Sequence, residues 1–232
     1  MRIGILTPAY DGKVCRQYHD GVLQAAAWCW KNGHEAYSIV FPGCALMDKA
    51  RNMLLDTARG LDLDEYVFID ADVGFTGEDF ARLLSHDVGI VGGVYRHKKD
   101  VETYPIELLD GSEANGVLRE AKYLPTGFMR IRRDALATVV EKCGPDNRCL
   151  YKMPDGSRRE VLHLFAMGRA YHGNEDVPSY VGEDVHFCNI ARMVGVRCWV
   201  DPDITLSHTG EKTWDGDYAA YLRSLEADKA GD

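Results

Sequence analysis

The sequence predicts a single α/β domain in which a mixed, mostly parallel central sheet is flanked by helices. Short apolar runs alternate with amphipathic segments along the first half, which is the pattern of β-α-β units. The 232 residues suffice for one full core but leave little room for a second. The first apolar run, residues 2–6, leads into a loop at the end of the strand where open α/β sheets hold ligands.

Strands and helices alternate in the first hundred residues. The predicted strands cover residues 2–6, 35–41, 66–69 and 88–94, and the predicted helices cover residues 20–31, 48–59 and 77–85. The last of these strands contains the glycine pair Gly92–Gly93, which is typical of a close backbone approach. This half is predicted to form a sheet of nucleotide-binding type.

The second half is less regular. An Asp110–Gly111 turn separates two short apolar runs, which predicts an antiparallel hairpin. The further predicted strands cover residues 104–109, 118–124, 128–132, 198–200 and 204–206, and the predicted helices are residues 133–142 and a segment starting near residue 183. Residues 144–180 are polar and rich in turns, and we expect a mobile flap over a site.

Two aspartates end the apolar run Tyr66–Ile69 and are the most informative feature of the chain. Asp70 and Asp72 stand two residues apart, and alternate residues of a strand project to the same side. Carboxylates that close repel each other unless a cation lies between them, and Mg²⁺ and Mn²⁺ favour carboxylate and phosphate oxygens. The pair predicts a metal site for a phosphate-bearing ligand. The alternative is a turn capped by Asp70 with Asp72 in solvent.

A second acidic pair, Glu183–Asp184, stands at the predicted start of a helix. The helix dipole stabilises a carboxylate there, so the position fits a catalytic base and plain N-capping equally. Further along, His208 ends a predicted strand, and Lys212 follows it. A lone histidine is usually structural, but this one fits a metal ligand beside a lysine that binds phosphate.

The acidic composition argues against broad, sequence-independent binding to nucleic acid. The net charge is −9 and the pI is near 5.4, whereas such binding requires a basic face. A local basic groove is compatible with this charge, and residues 96–99 and 130–133 are the basic clusters.

The cysteines indicate a reducing compartment. There are seven, an odd number, with no C-x-x-C pair. Cys143 and Cys149 with His163 or His172 match no standard zinc spacing. No apolar leader is evident, and no segment approaches about 18 consecutive apolar residues. We therefore expect a cytoplasmic protein with no membrane attachment and no obligate protein partner.

The order of these features resembles the GT-A class of nucleotide-sugar-dependent glycosyltransferases over nearly the whole chain. The motifs that carry the resemblance are Thr7–Tyr10, Ala50–Asn52, Asp70–Asp72, Gly92–Tyr95, Leu124–Phe128, Gly182–Asp184 and His208. The arrangement is most similar to small phage-encoded members, some of which glycosylate hydroxymethylated pyrimidines in DNA. The resemblance implies one GT-A-like domain over residues 1–232, with a nucleotide-sugar-binding half (1–100) and an acceptor half (101–232), working in the host cytoplasm.

The resemblance also implies a role for each site residue. The D-x-D pair and the late histidine of such enzymes hold Mn²⁺ or Mg²⁺ on a donor such as a UDP-sugar, which carries over to Asp70, Asp72 and His208. The acid at the helix start is the general base of inverting members, which carries over to Asp184, with Glu183 as its rival. The implied donor-binding residues are Thr7, Pro8, Ala9, Tyr10, Arg51, Asp70, Ala71, Asp72, Gly127 and Lys212.

Several alternatives stay open at this point. Residues 208–214 faintly resemble a motif of retaining transferases, so an inverting outcome is favoured over a retaining one without excluding it. A dehalogenase-type phosphatase carries Thr or Val where this chain has Gly74, and a nucleotidyltransferase carries a glycine-rich basic loop that residues 7–12 lack. A non-catalytic nucleotide-sugar binding module retains the same fold. The acceptor implied by the resemblance is 5-hydroxymethylcytosine in phage DNA, with a glycan or a protein as the alternative.

Overall fold

Helices and strands alternate along the first half of the chain, as the hydrophobic pattern predicts. The computed structural model describes residues 1–111, 114–153, 155–170 and 177–231. Its helices are α1 (Arg16–Lys31), α2 (Met47–Arg59), α3 (Gly77–Ser85), α4 (Arg133–Cys143), α5 (Glu183–Met193) and α6 (Tyr218–Gly231). Its strands are β1 (Arg2–Ala9), β2 (Glu35–Pro42), β3 (Glu65–Ile69), β4 (Val73–Gly74), β5 (Ile90–Gly92), β6 (Glu107–Leu108), β7 (Arg119–Tyr123), β8 (Phe128–Arg132), β9 (Arg148–Lys152), β10 (Arg158–Leu162), β11 (Gly168–Ala170), β12 (Ser179–Val181), β13 (Cys198–Val200), β14 (Ser207–Thr209) and β15 (Thr213–Asp215).

One large mixed sheet organises the described residues. Its eight strands follow the order β2-β1-β3-β8-β5-β13-β7-β6. β1 is parallel to β2 and β3, and β5 is parallel to β13, whereas the pairs made by β8 and β7 are antiparallel. β7 and β8 therefore run against the other six strands of this sheet, which share one direction. The predicted fold class, an α/β domain with a mixed sheet flanked by helices, is confirmed.

The central strand β3 is buried on both of its faces. Tyr66 and Phe68 pack into the core that α2, α4 and α5 share, and Val67 and Ile69 pack into the core that includes α1 and α3. This alternation follows from the period of two of a strand, and burial on both faces explains the continuous apolar run. The strand ends at Ile69, so Asp70 stands where the chain leaves the sheet.

A small three-stranded sheet brings a late segment of the chain beside this exit. β14 pairs antiparallel with β4 and with β15. His208 lies opposite Val73 in the register of β14 with β4. The pairing therefore places His208 next to the residues that follow Asp72, although 136 positions separate it from that aspartate in the sequence.

Several predicted elements have other bounds in the structure: the strand predicted over 104–109 is limited to Glu107–Leu108, and the one over 88–94 to Ile90–Gly92. Two further differences have local causes. α1 begins at Arg16 instead of residue 20, because the Cys15 thiol caps the helix by accepting a bond of 3.3 Å from the Tyr18 amide. Residues 204–206 form no strand. The Ile204 amide bonds to the Asp201 carbonyl and the Thr205 amide bonds to the Asp79 carboxylate, so strand pairing starts at residue 207.

The segment predicted to be a flap contains regular structure. β9 and β10 form an antiparallel hairpin, and β11 pairs with β12. Residues 154 and 171–176 lie outside the described residues, so the mobility of residues 144–180 stays a prediction. The division into halves at residue 100 also stays a prediction, and α6 had no sequence-based prediction.

Candidate functional site

A cleft of about 620 Å³ lies where β1 and β3 end. This is the edge at which α/β sheets hold ligands. The loop after β1 and the loop after β3 line it, together with Tyr95, Gly210 and the residues that directly precede α1. The predicted site residues in its lining are Pro8, Tyr10, Asp70, Ala71, Asp72 and His208.

The Asp70–Asp72 loop is fixed by backbone bonds to three separate segments. The Asp70 amide donates to the Gly127 carbonyl at 3.0 Å. The Ala71 carbonyl accepts from the Cys15 amide, and the Asp72 carbonyl accepts from the Thr209 amide, both at 2.8 Å. The positions of both carboxylates are therefore set by the surrounding fold more than by their own turn.

Asp70 faces a buried arginine, which joins it to the second acidic pair. Arg51 Nη1 lies 2.9 Å from Asp70 Oδ1, and Nη2 donates to Oδ2 at 3.2 Å. Arg51 Nε donates to Glu183 Oε1 at 2.9 Å. Burial alone would lower the pKa of Arg51, but the carboxylates of Asp70 and Glu183 outweigh it and raise that pKa. The guanidinium is occupied by protein carboxylates, so a contact of Arg51 with the donor, which stays a prediction, would require it to leave one of them.

Asp72 faces two other basic groups. Lys98 Nζ lies 2.5 Å from Asp72 Oδ2, and His208 Nε2 lies 3.6 Å from the same oxygen. Burial alone would raise the pKa of Asp72, but its contacts with His208 and Lys98 outweigh burial and lower the pKa to about 2. Asp72 is therefore ionised at neutral pH.

The orientation of His208 suits a metal ligand. Its Nδ1 lies 2.9 Å from the Arg96 carbonyl, which only accepts, so Nδ1 carries the proton. This contact turns the ring so that Nε2 faces Asp72, and a hydrogen bond from the other ring nitrogen orients metal-binding histidines in the same way. The ring packs edge-on against Tyr95, with centroids 4.7 Å apart. Carboxylate oxygens and an imidazole nitrogen are a donor set that fits Mn²⁺.

Those donors do not converge on one point. Within the described ranges, no group of three or more His, Cys, Asp or Glu side chains is close enough together to hold an ion. Asp70 points to Arg51, whereas Asp72 and His208 point to each other. The three-ligand site predicted from Asp70, Asp72 and His208 therefore stays a prediction.

The second acidic pair occupies the first turn of α5. Gly182 is the N-cap residue of α5, so neither Glu183 nor Asp184 is the residue that caps this helix. The carboxylate of Glu183 is neutralised by Arg51. Asp184 Oδ1 accepts a bond of 2.8 Å from the Val185 amide, and burial, followed by the charge of Glu183, raises the pKa of Asp184. A raised pKa moves a carboxylate toward the range that suits a general base.

Gly127 supports Asp70 through its lack of a side chain. A Cβ at this position would lie 2.5 Å from the Tyr95 hydroxyl and 2.6 Å from Asp70 Oδ2. Tyr95 Oη itself lies 3.5 Å from Asp70 Oδ2. The predicted site residue Gly127 is thus next to the motif, where it gives Asp70 and Tyr95 room.

Three predicted donor-binding side chains are directed elsewhere. Thr7 is buried, with its hydroxyl 2.5 Å from that of Tyr18, and Ala9 is buried as well. Lys212 Nζ lies 2.5 Å from Asp100 Oδ1 and 5.1 Å from the centre of the Trp214 ring. None of these three belongs to the cleft lining, and a contact of Lys212 with donor phosphate would require it to leave Asp100.

The basic cluster at residues 96–99 is largely used within the protein. The Arg96 guanidinium donates to the carbonyls of Lys99, Asp100 and Asp215, and Lys98 binds Asp72. From the sequence, Lys98 is one member of a basic cluster, and its pairing with Asp72 is not predicted. The composition of the cluster carries no signal for a contact between positions 26 residues apart.

Cys143, Cys149 and His163 form no zinc arrangement among the described residues. All seven cysteines are free thiols, and His163 bonds to the Tyr151 hydroxyl at 2.7 Å. His172 lies outside the described residues. In the part of the chain that the structure describes, no helix has the length and apolarity needed to cross a bilayer.

Comparison with known proteins gives a likeness in fold. No protein-family model and no curated protein matches the chain. The solved structure of A197 from STIV matches with a TM-score of 0.55 at 20% identity, covering 90% of this chain and 86% of that one. This match shows a fold shared with A197.

Weaker matches include a glycosyltransferase. A mutant of Drosophila β1,4-galactosyltransferase 7, in complex with manganese, UDP-Gal and xylobiose, has a TM-score of 0.44 at 13% identity, covering 90% of this chain and 71% of that one. A nucleoside-diphosphate-sugar pyrophosphorylase from Vibrio cholerae RC9 has a TM-score of 0.39 at 8% identity, covering 85% and 90%. Both scores are below 0.5, so neither match decides the function.

Proposed function

We propose that this protein is a metal-dependent glycosyltransferase, which moves a sugar from a nucleoside-diphosphate sugar, a UDP-sugar, to an acceptor hydroxyl. One observation carries the proposal. The cleft at the strand ends holds an ionised Asp72 next to an oriented His208, and Pro8 and Tyr10 line the same cleft. The sequence resemblance to GT-A enzymes supports the same function.

Asp70, Asp72 and His208 are the proposed ligands of Mn²⁺ or Mg²⁺. When bound, the ion would neutralise the charge that grows on the departing diphosphate. Tyr10, with 65% of its surface exposed, is available to stack on the nucleobase, and Pro8 lines the cleft beside it. These contacts would orient the donor, because the aromatic ring fixes one end and the acidic site the other.

Asp184 is the proposed general base. Its rival Glu183 is bound by Arg51, which leaves Asp184 as the member of the pair with no ion pair to a described residue. A carboxylate raised in pKa accepts the proton of the acceptor hydroxyl more readily. This role corresponds to an inverting transfer, in which the deprotonated hydroxyl attacks the sugar carbon opposite the leaving diphosphate.

The proposed acceptor is 5-hydroxymethylcytosine in phage DNA, inside the host cytoplasm. This part of the proposal rests on the sequence resemblance. Arg96 and Lys98 are engaged inside the protein, which weakens the case for residues 96–99 as a contact to a phosphate backbone. A glycan or a protein is the alternative acceptor.

The test is release of nucleoside diphosphate from a panel of nucleotide sugars with Mn²⁺, with and without DNA that contains hydroxymethylcytosine. We expect release that falls at least ~100-fold in Asp72→Asn, the size of loss seen when one electrostatic contact to a transition state is removed. Asp20→Asn, a carboxylate on the exposed surface of α1, is the matched control and should retain activity. Asp184→Asn should lose transfer while it keeps donor binding.

Each outcome has a distinct meaning. Stimulation by the DNA would support the proposed acceptor, and equal release without it would favour a glycan or a protein. Donor binding without release from any nucleotide sugar would replace the transferase by a binding module. An unchanged rate in Asp184→Asn would remove the proposed base alone.

A further inference from the structure

The contact between Lys98 and Asp72 occupies the carboxylate that the proposed metal requires. Lys98 Nζ lies 2.5 Å from Asp72 Oδ2, and the same oxygen faces His208 Nε2 at 3.6 Å. An ammonium and a divalent cation compete for one oxygen, because both are held there by charge. Lys98 therefore neutralises an oxygen that a metal ion bound to Asp72 could use.

Contacts with the surrounding loops constrain the position of the Lys98 side chain. Gly210 lies under its aliphatic stem, and a Cβ on Gly210 would come within 3.1 Å of Lys98 Cδ. The loop that carries Lys98 is tied down by the guanidinium of Arg96, which donates to the carbonyls of Lys99 and Asp100 at 3.0 Å and to that of Asp215 at 3.1 Å. These bonds hold the loop in a conformation that places the Lys98 ammonium next to Asp72.

The same loop also orients the histidine. The Arg96 carbonyl accepts the proton of His208 Nδ1, and Lys98 follows two residues later. The segment from Arg96 to Lys98 consequently orients His208, one proposed metal ligand, and supplies the cation that pairs with Asp72, another. Both functions act on the same carboxylate oxygen of Asp72.

We infer that Lys98 is an internal counterion of Asp72, which competes with the divalent cation for this carboxylate and gives way to it when the donor binds. The inference rests on the proposed metal site. Both partners are partly exposed, so the ion pair is weak enough to exchange. Once released, the ammonium remains beside the cleft, where it binds the diphosphate of the incoming donor.

The experiment is a titration of the full chain with Mn²⁺ in the absence of nucleotide, with free Mn²⁺ measured by electron paramagnetic resonance. Lys98→Met should bind Mn²⁺ about fivefold more tightly than the wild type, which corresponds to about 1 kcal/mol for a partly exposed ion pair. Lys99→Met removes the same charge from the next position and is the matched control, with an expected change below about twofold. Lys98→Arg keeps the charge and should return the affinity to that of the wild type.

A second titration with UDP and Mn²⁺ together tests the later step. Lys98→Met should then bind UDP about fivefold more weakly than Lys99→Met, because the partner of the diphosphate is lost. Mn²⁺ affinity in Lys98→Met equal to or weaker than in Lys99→Met would overturn the inference while leaving the metal site in place. Absence of Mn²⁺ binding in the wild type and all variants would instead overturn the metal site, and with it the proposed function.

Discussion

The two carboxylates of the Asp70–Asp72 motif pair with different basic side chains, which differ in how far they are exposed to solvent. Asp70 pairs with Arg51, and their side chains are 16% and 3% exposed. Asp72 pairs with Lys98, and their side chains are 42% and 33% exposed. Two carboxylates that stand two residues apart in one loop therefore have different surroundings: one ion pair is mostly buried, and the other is partly exposed. Asp70 is part of the buried structure, and Asp72 is the half of the motif that is free to exchange its partner.

The difference follows from the chemistry of the two cations. A guanidinium donates in several directions at once, so Arg51 satisfies Asp70 and Glu183 together in a buried position. A lysine ammonium is a point charge on a flexible stem, and near solvent its ion pair contributes little. Breaking a buried pair leaves an uncompensated charge, which costs about 3–5 kcal/mol, whereas an exposed pair contributes about 0–1 kcal/mol.

The largest expected effect is on Arg51. Arg51→Met should reduce the free energy of unfolding by about 3–5 kcal/mol, because both Asp70 and Glu183 lose their buried partner. Urea unfolding at neutral pH without metal measures it. Arg16→Met, which removes an exposed ion pair with Asp20, is the matched control and should change stability by less than about 0.5 kcal/mol. Equal effects of the two substitutions would show that burial of Arg51 carries no energetic weight.

A more direct comparison removes each carboxylate in turn. Asp70→Asn should cost about 2–3 kcal/mol, because Arg51 keeps only Glu183 as a full partner. Asp72→Asn should cost less than about 1 kcal/mol, since Lys98 can turn to solvent. Unfolding in metal-free urea measures both. A larger loss in Asp72→Asn than in Asp70→Asn would reverse the assignment of the fixed and exchangeable halves.

The sequence located this motif but did not reveal its division. The apolar run before Asp70 predicts a buried strand, and burial of β3 on both faces bears that out. The partner of Asp70 depends on α2 and α5 meeting under the sheet, and Arg51 is 132 positions from Glu183. Local patterns carry no information about such a contact.

Local signals were also overridden at two sites. The apolar triplet at residues 204–206 has strand character, yet its amides bond to Asp201 and Asp79 instead of a neighbouring strand. Arg51 is a charged residue, a type that is usually exposed, yet it is among the least exposed charged residues, and its donor-binding role stays a prediction. In both cases tertiary hydrogen bonds decided the outcome, and a helical or strand period does not encode them.

A buried carboxylate elsewhere in the sheet, Glu65, sharpens the comparison, because its arginine is farther away. Glu65 Oε2 lies 3.6 Å from Arg130 Nη1 and has no hydrogen-bond partner among the described residues. Burial raises the pKa of Glu65 to about 7 from an ordinary 4.5, and the charge of Arg130 offsets only part of this rise. Asp70, with its guanidinium at 2.9 Å, is the well-paired counterpart.

The raised pKa predicts a pH dependence of stability. A carboxyl whose pKa is higher in the folded state binds its proton more tightly there, so its contribution is present below pH 4.5 and is lost as the pH rises through about 7. The difference in unfolding free energy between wild type and Glu65→Gln should therefore move against the wild type by about 2–3 kcal/mol from pH 4.5 to pH 8. Urea unfolding at several pH values measures it, and parallel curves for the two proteins would contradict the prediction.

A last substitution disturbs Asp70, the fixed half of the motif, without changing any charge. Gly127→Ala would place a Cβ 2.5 Å from the Tyr95 hydroxyl and 2.6 Å from Asp70 Oδ2, so that one of these groups must move. We expect a loss of about 1–2 kcal/mol in unfolding free energy, the usual cost of overfilling a packed site. Gly168→Ala in β11 is the control, because a Cβ there meets nothing within 4 Å. If Asp70 is fixed by Arg51, the tyrosine should yield first and Mn²⁺ affinity should stay within about twofold, whereas a large fall in affinity at unchanged stability would place Asp70 in the exchangeable half with Asp72.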